Sequence, residues 1–175
     1  MSAQEEVAVV LDNVRSLYNV GAVMRVCDGA GVRRLLACGI TPYPSLGRAD
    51  PRRGPVASRA DRELRKTALA AYDTVRVEHH PSTPEALAAL RASGAAIVAV
   101  EAIPDAPDLW RSAALDARPL ALVFGHETEG LAPQVLVGAD SIVRIPMLGS
   151  GKSLNVAAAV AVVLYEALRR QSART

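Results

Sequence analysis

The chain has 175 residues, 50% of them apolar and 22% charged, with a formal net charge of +2. That length and composition suit one ordinary domain with a proper core and exclude a largely disordered chain. No apolar stretch approaches the roughly 20 residues a membrane helix needs, so no membrane association is expected. The acidic N-terminus lacks the basic flank and apolar segment of an export signal, which makes the cytoplasm the expected address.

In chain order, Val7 to Leu11 is a short β-branched run that predicts a strand, and a helical pattern follows from Asn19 to about Gly29. Arg33 to Cys38 reads as a second strand, closed by Gly39 and the turn Thr41-Pro-Tyr-Pro. Cys27 and Cys38, eleven apart, have no metal-site spacing and cannot make a disulfide scaffold, so both are expected in the core. Next comes a basic segment. Seven basic residues fall between Arg48 and Lys66 against three acids, and Pro51, Gly54 and Pro55 break the run. Guanidinium donates bidentately to phosphate without reading base sequence, so Arg48, Arg52, Arg53 and Arg59 are candidate nucleic-acid contacts. A solvated loop followed by a charged helix face is the alternative.

Asp61 to Ala71 then looks helical and Thr74 to Val77 extended. Pro84 to Ala92 predicts a helix with Thr83 as its N-cap. Ala96 to Val100 and Leu120 to Phe124 have buried-strand patterns, Ser141 to Ile145 alternates, and a helix from about Ser153 to Arg170 ends the chain. This alternation predicts a single α/β domain over residues 1–175, with a mostly parallel sheet and helices on both faces. The first half of the last helix, Val156 to Tyr165, is apolar on every side and must be covered on every side. A homodimer is therefore expected; burial within one chain is the alternative.

Two familiar phosphate signatures fail. Gly149-Ser-Gly-Lys-Ser153 looks like the end of a triphosphate loop, but the position needing the first glycine is Pro146. Gly29-Ala-Gly31 lies at a helix end and its third glycine position is Arg34, so the dinucleotide fingerprint is absent. His79 and His80 are expected at the surface, and with His126 they make no nucleophilic triad. Three polar, glycine-bearing segments remain, each where a strand ends: Leu11 to Arg25, Leu122 to Leu131 and Ile145 to Asn155. Ligands of open α/β sheets bind beyond the carboxyl ends of strands, so the three could form one site. Gly125 and Gly130 let the backbone approach a ligand, while Ser153 and Asn155 sit at a helix start with free N–H groups. Taken singly, Ser153 and Asn19 read equally well as N-caps and Glu127 as a capping or surface carboxylate.

Together and in this order the segments resemble the three motifs of the SpoU/TrmH-type RNA 2′-O-methyltransferases of the SPOUT superfamily. The matching residues are Asn19-x-Gly21-x-x-x-Arg25, then Phe124-Gly125-x-Glu127-x-x-Gly130-Leu131, then Ile145-Pro146-Met147 with Ser153-Leu154-Asn155. The resemblance implies a C-terminal deep trefoil knot, which no connectivity rule would predict. It also implies an S-adenosylmethionine site at Val100, Gly125, Ile145, Met147, Ser153 and Leu154, and no metal. It further implies a catalytic set of Arg25, Asn19, Glu127, Ser153 and Asn155 assembled across a homodimer. The reaction would pass a methyl group to a ribose 2′-hydroxyl. With almost nothing outside the motif-bearing region, the chain is more similar to members that modify tRNA than to those that modify rRNA. A non-catalytic RNA-binding protein of the same fold is the rival, and a nucleotide hydrolase using Gly151-Lys-Ser153 a more distant one.

Overall fold

A computed structural model describes residues 6–172, with side chains described through Arg170. The acidic start of the chain, on which the cytoplasmic expectation rests, lies mostly outside those residues. The strands are β1 (Val7–Asp12), β2 (Arg34–Cys38), β3 (Arg76–His80), β4 (Ala96–Val100), β5 (Leu120–Phe124) and β6 (Ser141–Val143). The α-helices are α1 (Leu17–Gly29), α2 (Gly54–Ala68), α3 (Ala71–Thr74), α4 (Thr83–Ala92), α5 (Pro133–Val137) and α6 (Val156–Ser172).

β1 and β5 are apolar on both faces except for Asp12, and neither has an exposed residue. Such strands belong in the middle of a parallel sheet covered by helices on both sides. The sheet order is β3-β2-β1-β5-β4-β6 and every pairing is parallel. Val9 lies between Leu35 and Leu122 in the register. Alternate residues face two cores. Val7, Val9, Leu11, Leu35 and Leu122 pack with α1, α2 and α6. Ala8, Val10, Leu36, Ile97 and Val123 pack with α4 and α5. Each fully buried Val or Leu contributes roughly 1.5–3 kcal/mol, so these two layers fix where the strand ends lie. Cys27 and Cys38 belong to the two cores, and burial pushes both thiols up to about 12.

Several boundaries differ from the sequence reading. The basic segment is helical from Gly54 rather than Asp61, because Pro55 occupies the first turn, where its missing N–H costs nothing. The predicted extension at Thr74 is a short helix, α3, and β3 begins at Arg76. Ser82, not Thr83, caps α4 by accepting from the Glu85 N–H. His79 and His80 are half-buried in the edge strand β3 rather than fully exposed, with His79 stacked on Tyr43 at 4.0 Å between ring centroids.

Gly21 shows why α1 lies where it does. A Cβ there would overlap the Thr67 side chain of α2, reaching 2.6 Å from Thr67 Cβ and 3.1 Å from the Ala68 nitrogen. The glycine in the first motif is thus a packing requirement between α1 and α2. Gly21→Ala is expected to lower stability by about 1–3 kcal/mol, the cost of an overpacked contact; urea unfolding measures it.

The far end of α6 is tied to the β4–β5 connection. Arg170 donates to the carbonyls of Leu109, Trp110 and Ser112 and pairs with Glu166 at 2.6 Å. Leu109 in turn donates to the Arg144 carbonyl at 2.9 Å, just beyond β6. The segments following β4 and β6 are thereby held side by side, over the same edge of the sheet.

Candidate active site

Helix α1 begins at Ser16, whose hydroxyl accepts from the Asn19 N–H at 3.2 Å. Asn19 is therefore not the N-cap, and its buried side chain is free to point elsewhere. Its Nδ2 donates to Glu127 Oε1 at 3.0 Å, and its Oδ1 accepts from Asn155 Nδ2 at 3.1 Å. Asn155 Oδ1 accepts from the Ala157 N–H at 2.9 Å and so caps α6, the role the sequence left open for Ser153. Ser153 lies before the helix and is exposed. One residue from each motif is thus joined in a single chain of hydrogen bonds, over sequence separations of more than a hundred residues.

Glu127 closes that chain. Its two oxygens also accept from the N–H groups of Arg15 and Ser16, each at 3.3 Å. Burial pushes its carboxyl up, but the Asn19 amide and the backbone N–H groups outweigh this and hold it below the ordinary 4.5. Glu127 is then an ionised acceptor at neutral pH. The sign follows directly: the clamp contributes fully above the ordinary value and is lost as pH falls through the lowered one. Thermal melting from pH 7 down to 3 should show wild type losing more stability below 4.5 than Glu127→Gln does; parallel curves would remove the clamp from the account.

A cleft, open to solvent on one side, lies beyond β4, β5 and β6. All six predicted cofactor residues, Val100, Gly125, Ile145, Met147, Ser153 and Leu154, line it. The segment Gly125–Leu131 forms a tight loop in which His126 and Gly130 exchange backbone hydrogen bonds at 3.2 and 3.0 Å. His126 Nδ1 accepts from the Thr128 and Glu129 N–H groups at 3.2 and 3.3 Å, which closes the loop from inside. Gly125 has no room for a side chain: a Cβ would come within 2.6 Å of the Gly130 oxygen and the Leu131 nitrogen.

Arg25 is not among the cleft-lining residues. It stands exposed on α1 and lines a second cleft with Ser16, Tyr18, Arg59, Lys66 and Thr67, between α1 and α2. The predicted catalytic set is therefore divided. Asn19, Glu127 and Asn155 are linked, Glu127 and Ser153 line the first cleft, and Arg25 faces the second.

The candidate RNA contacts divide too. Arg52 stacks over the Tyr43 ring at 3.7 Å, pairs with Asp50 at 2.6 Å, and donates to the carbonyls of Tyr43 and Pro44. Its guanidinium holds the loop together, which corrects the expectation that it meets a phosphate. Arg48, Arg53 and Arg59 are exposed and make no ion pair among the described residues. Lys66, not singled out in the sequence reading, joins Arg59 in the second cleft. A further residue missed there is Glu101, immediately after β4, whose carboxylate lines the first cleft. An acid directly following a five-residue buried strand was the available signal. Gly149 and Gly151 stand clear of any backbone cradle, with Lys152 exposed, so the triphosphate-loop alternative finds no support in the loop geometry.

The chain is similar to known RNA-modifying proteins over nearly its whole length. Residues 54–165 match the profile of the SpoU rRNA Methylase family. The tRNA (guanosine(18)-2′-O)-methyltransferase of Thermus thermophilus is 33% identical over 169 residues, covering 96% of this chain and 77% of that enzyme. The 23S rRNA (guanosine-2′-O-)-methyltransferase RlmB of Nitrosomonas europaea is 35% identical over 167 residues, 95% of this chain and 57% of its own length. Among solved structures, the SpoU methyltransferase AviRb of Streptomyces viridochromogenes in complex with AdoMet superposes with a TM-score of 0.75 at 27% identity, over 94% of this chain and 57% of that one.

Proposed function

The chain belongs to the SpoU rRNA Methylase family, and on that premise we propose that it is an S-adenosylmethionine-dependent methyltransferase acting on ribose 2′-hydroxyls of RNA. tRNA is the favoured substrate over rRNA, since the Thermus relative that acts on tRNA is matched over more of its length than the Nitrosomonas rRNA enzyme. The observation that carries the reading is the hydrogen-bonded union of Asn19, Glu127 and Asn155 beside a cleft lined by the second and third motifs.

The cleft fits the cofactor. Val100, Phe124, Ile145, Leu154 and Val156 supply apolar walls for a flat base, and the glycines at 125 and 130 bring backbone close to it. When bound, S-adenosylmethionine supplies a methyl group activated by a sulfonium. The chain must then align the attacking oxygen and accept or relay its proton. Arg25 cannot be the base, because guanidinium does not deprotonate in proteins. It instead holds the substrate phosphate bidentately and so fixes the ribose, with a phosphate oxygen or another group taking the hydroxyl proton. Asn19 and Asn155 are positioning residues that lock α1 and α6 to the Glu127 loop.

Because Arg25 lines a different cleft from the cofactor residues, a homodimer that brings Arg25 to a neighbour's cleft belongs to the same proposal. Support comes from α6, whose Ala158 and Tyr165 are exposed, with Ala161 and Val162 half-buried beside them. A trefoil threading of the segment that enters α6, and one catalytic domain spanning the described residues, complete the proposal.

Arg48, Arg53 and Arg59 on and before α2 are the proposed phosphate contacts, with Lys66 and the exposed Tyr18 on the walls of the Arg25 cleft. An exposed tyrosine beside cations that make no ion pair among the described residues suits a strand whose bases can stack. Replacing Arg48, Arg53 and Arg59 with glutamine is expected to weaken tRNA binding and reduce the log–log salt slope by about 2; filter binding at several salt concentrations reads it, and an unchanged slope sinks the assignment. Calorimetry with S-adenosylhomocysteine tests the function itself. Micromolar binding supports the enzyme, whereas binding of RNA without the nucleoside favours a non-catalytic RNA-binding protein.

A further inference from the structure

Most polar side chains of the first cleft are engaged by their neighbours, and one of them keeps accepting capacity toward it. Glu127 is engaged by Asn19 and by the start of α1. The His126 ring and the Thr128 hydroxyl lie against one another within their own loop, 3.3 Å apart. Ser153 is exposed at the rim. Glu101 differs. Its backbone N–H is fixed to the Val143 carbonyl at 3.0 Å, so the end of β4 holds it rigidly. Its Oε1 accepts from the Ala102 N–H at 3.0 Å and its Oε2 from the Leu131 N–H at 2.7 Å. The left-handed Gly130, at φ +69°, passes so close that a Cβ there would lie 2.5 Å from Oε2. A carboxylate can accept about four hydrogen bonds and this one has two, both from backbone. The remaining lone pairs belong to a half-buried group that lines the cleft.

The composition of the lining says what would meet them. The lining combines apolar residues, among them buried Phe124 and Val156 and exposed Leu154, with half-buried Glu101 and the exposed hydroxyls of Thr128 and Ser153. An adenosyl ligand carries groups that match these three kinds of lining: an apolar base, a neutral diol and a charged amino-acid tail. Neutral hydroxyl donors match a partly desolvated carboxylate that is already locked in place, while a zwitterionic tail keeps its hydration at the rim.

We propose that Glu101 accepts the ribose hydroxyls of the adenosyl cofactor while tethering the Gly125–Leu131 loop that forms the opposite wall. This rests on the cofactor assignment above and adds a residue outside the three motifs. Glu101 is then a cofactor-binding residue with a second, positioning role toward the loop carrying Glu127.

The test is a two-by-two comparison by calorimetry. S-adenosylhomocysteine and its 2′,3′-dideoxy counterpart are titrated into wild type and Glu101→Ala, with Glu101→Gln as the variant that keeps one acceptor and the loop contact. Wild type is expected to bind the dideoxy compound about ten- to a hundred-fold more weakly, the scale of hydrogen bonds to a charged group. Glu101→Ala should bind both compounds alike, at or below the wild-type affinity for the dideoxy one because the loop tether is lost as well, and Glu101→Gln should fall between. If Glu101→Ala still discriminates as wild type does, or loses affinity for both compounds equally, the hydroxyl contact is wrong while the cofactor assignment stands. If wild type binds neither compound, the cofactor assignment itself fails and this inference falls with it.

Discussion

Arg25→Ala is expected to lose methyl transfer by about 10²–10³-fold, the scale of removing one positioned donor from a reacting centre. Its affinity for S-adenosylhomocysteine should stay within a few-fold of wild type. The reason is positional. Arg25 is exposed on α1 and lines the α1–α2 cleft, apart from the cleft that takes the nucleoside. Removing its guanidinium leaves the walls of that nucleoside cleft intact, yet deprives an RNA phosphate of its bidentate partner. Single-turnover transfer from labelled S-adenosylmethionine and calorimetry on the same preparation separate the two effects. Equal loss of both would make Arg25 a cofactor or folding residue. Arg25→Lys should restore little, because a single ammonium cannot reproduce the planar fork.

Gly125→Ala should do the opposite and remove cofactor binding first. The added methyl would meet the Gly130 oxygen and Leu131 nitrogen at 2.6 Å, and these are backbone atoms with no rotamer to give. The loop would have to open, breaking the His126–Gly130 pairing and releasing the Leu131 N–H from Glu101. Affinity for S-adenosylhomocysteine is expected to fall by more than about a hundred-fold, as three or more hydrogen bonds at the wall are disturbed. Because neither core cluster includes Gly125, global stability should fall by no more than about 1–3 kcal/mol. A variant that binds normally would show that the tight loop is not the wall of the nucleoside site.

The strands and the site loops were legible in the sequence for the same reason. β1, β4 and β5 are continuous apolar runs that only a two-sided cover can bury, so their carboxyl ends, and the polar segments following them, could be placed from periodicity alone. Gly125 was readable because a backbone approach needs glycine, although the structure shows that what approaches is the Gly130–Leu131 backbone. What was not legible is pairing between distant side chains. Charge density selected Arg52 together with Arg48, Arg53 and Arg59, but no pattern of charge says that Tyr43 and Asp50 enclose one guanidinium of the four. The hydrogen bonds from Asn155 to Asn19 to Glu127 likewise depend on tertiary placement across the sheet, and so does the capping of α6 by Asn155 rather than Ser153. Glu101 had a local signal, an acid at a strand end, but it lay outside the glycine-bearing motifs. The start of α2 at Gly54 was hidden by Pro51 and Pro55, which read as breakers until Pro55 is seen in the one helical turn that tolerates it.

The most direct measurement is mass-spectrometric mapping of ribose methylation after incubating unmodified tRNA and rRNA with the protein and S-adenosylmethionine, beside Arg25→Ala as control. A single 2′-O-methylated nucleotide in tRNA, absent with the variant, is the predicted result. Unmodified riboses in both RNAs, in the presence of a protein that binds them and the nucleoside, would contradict the assignment.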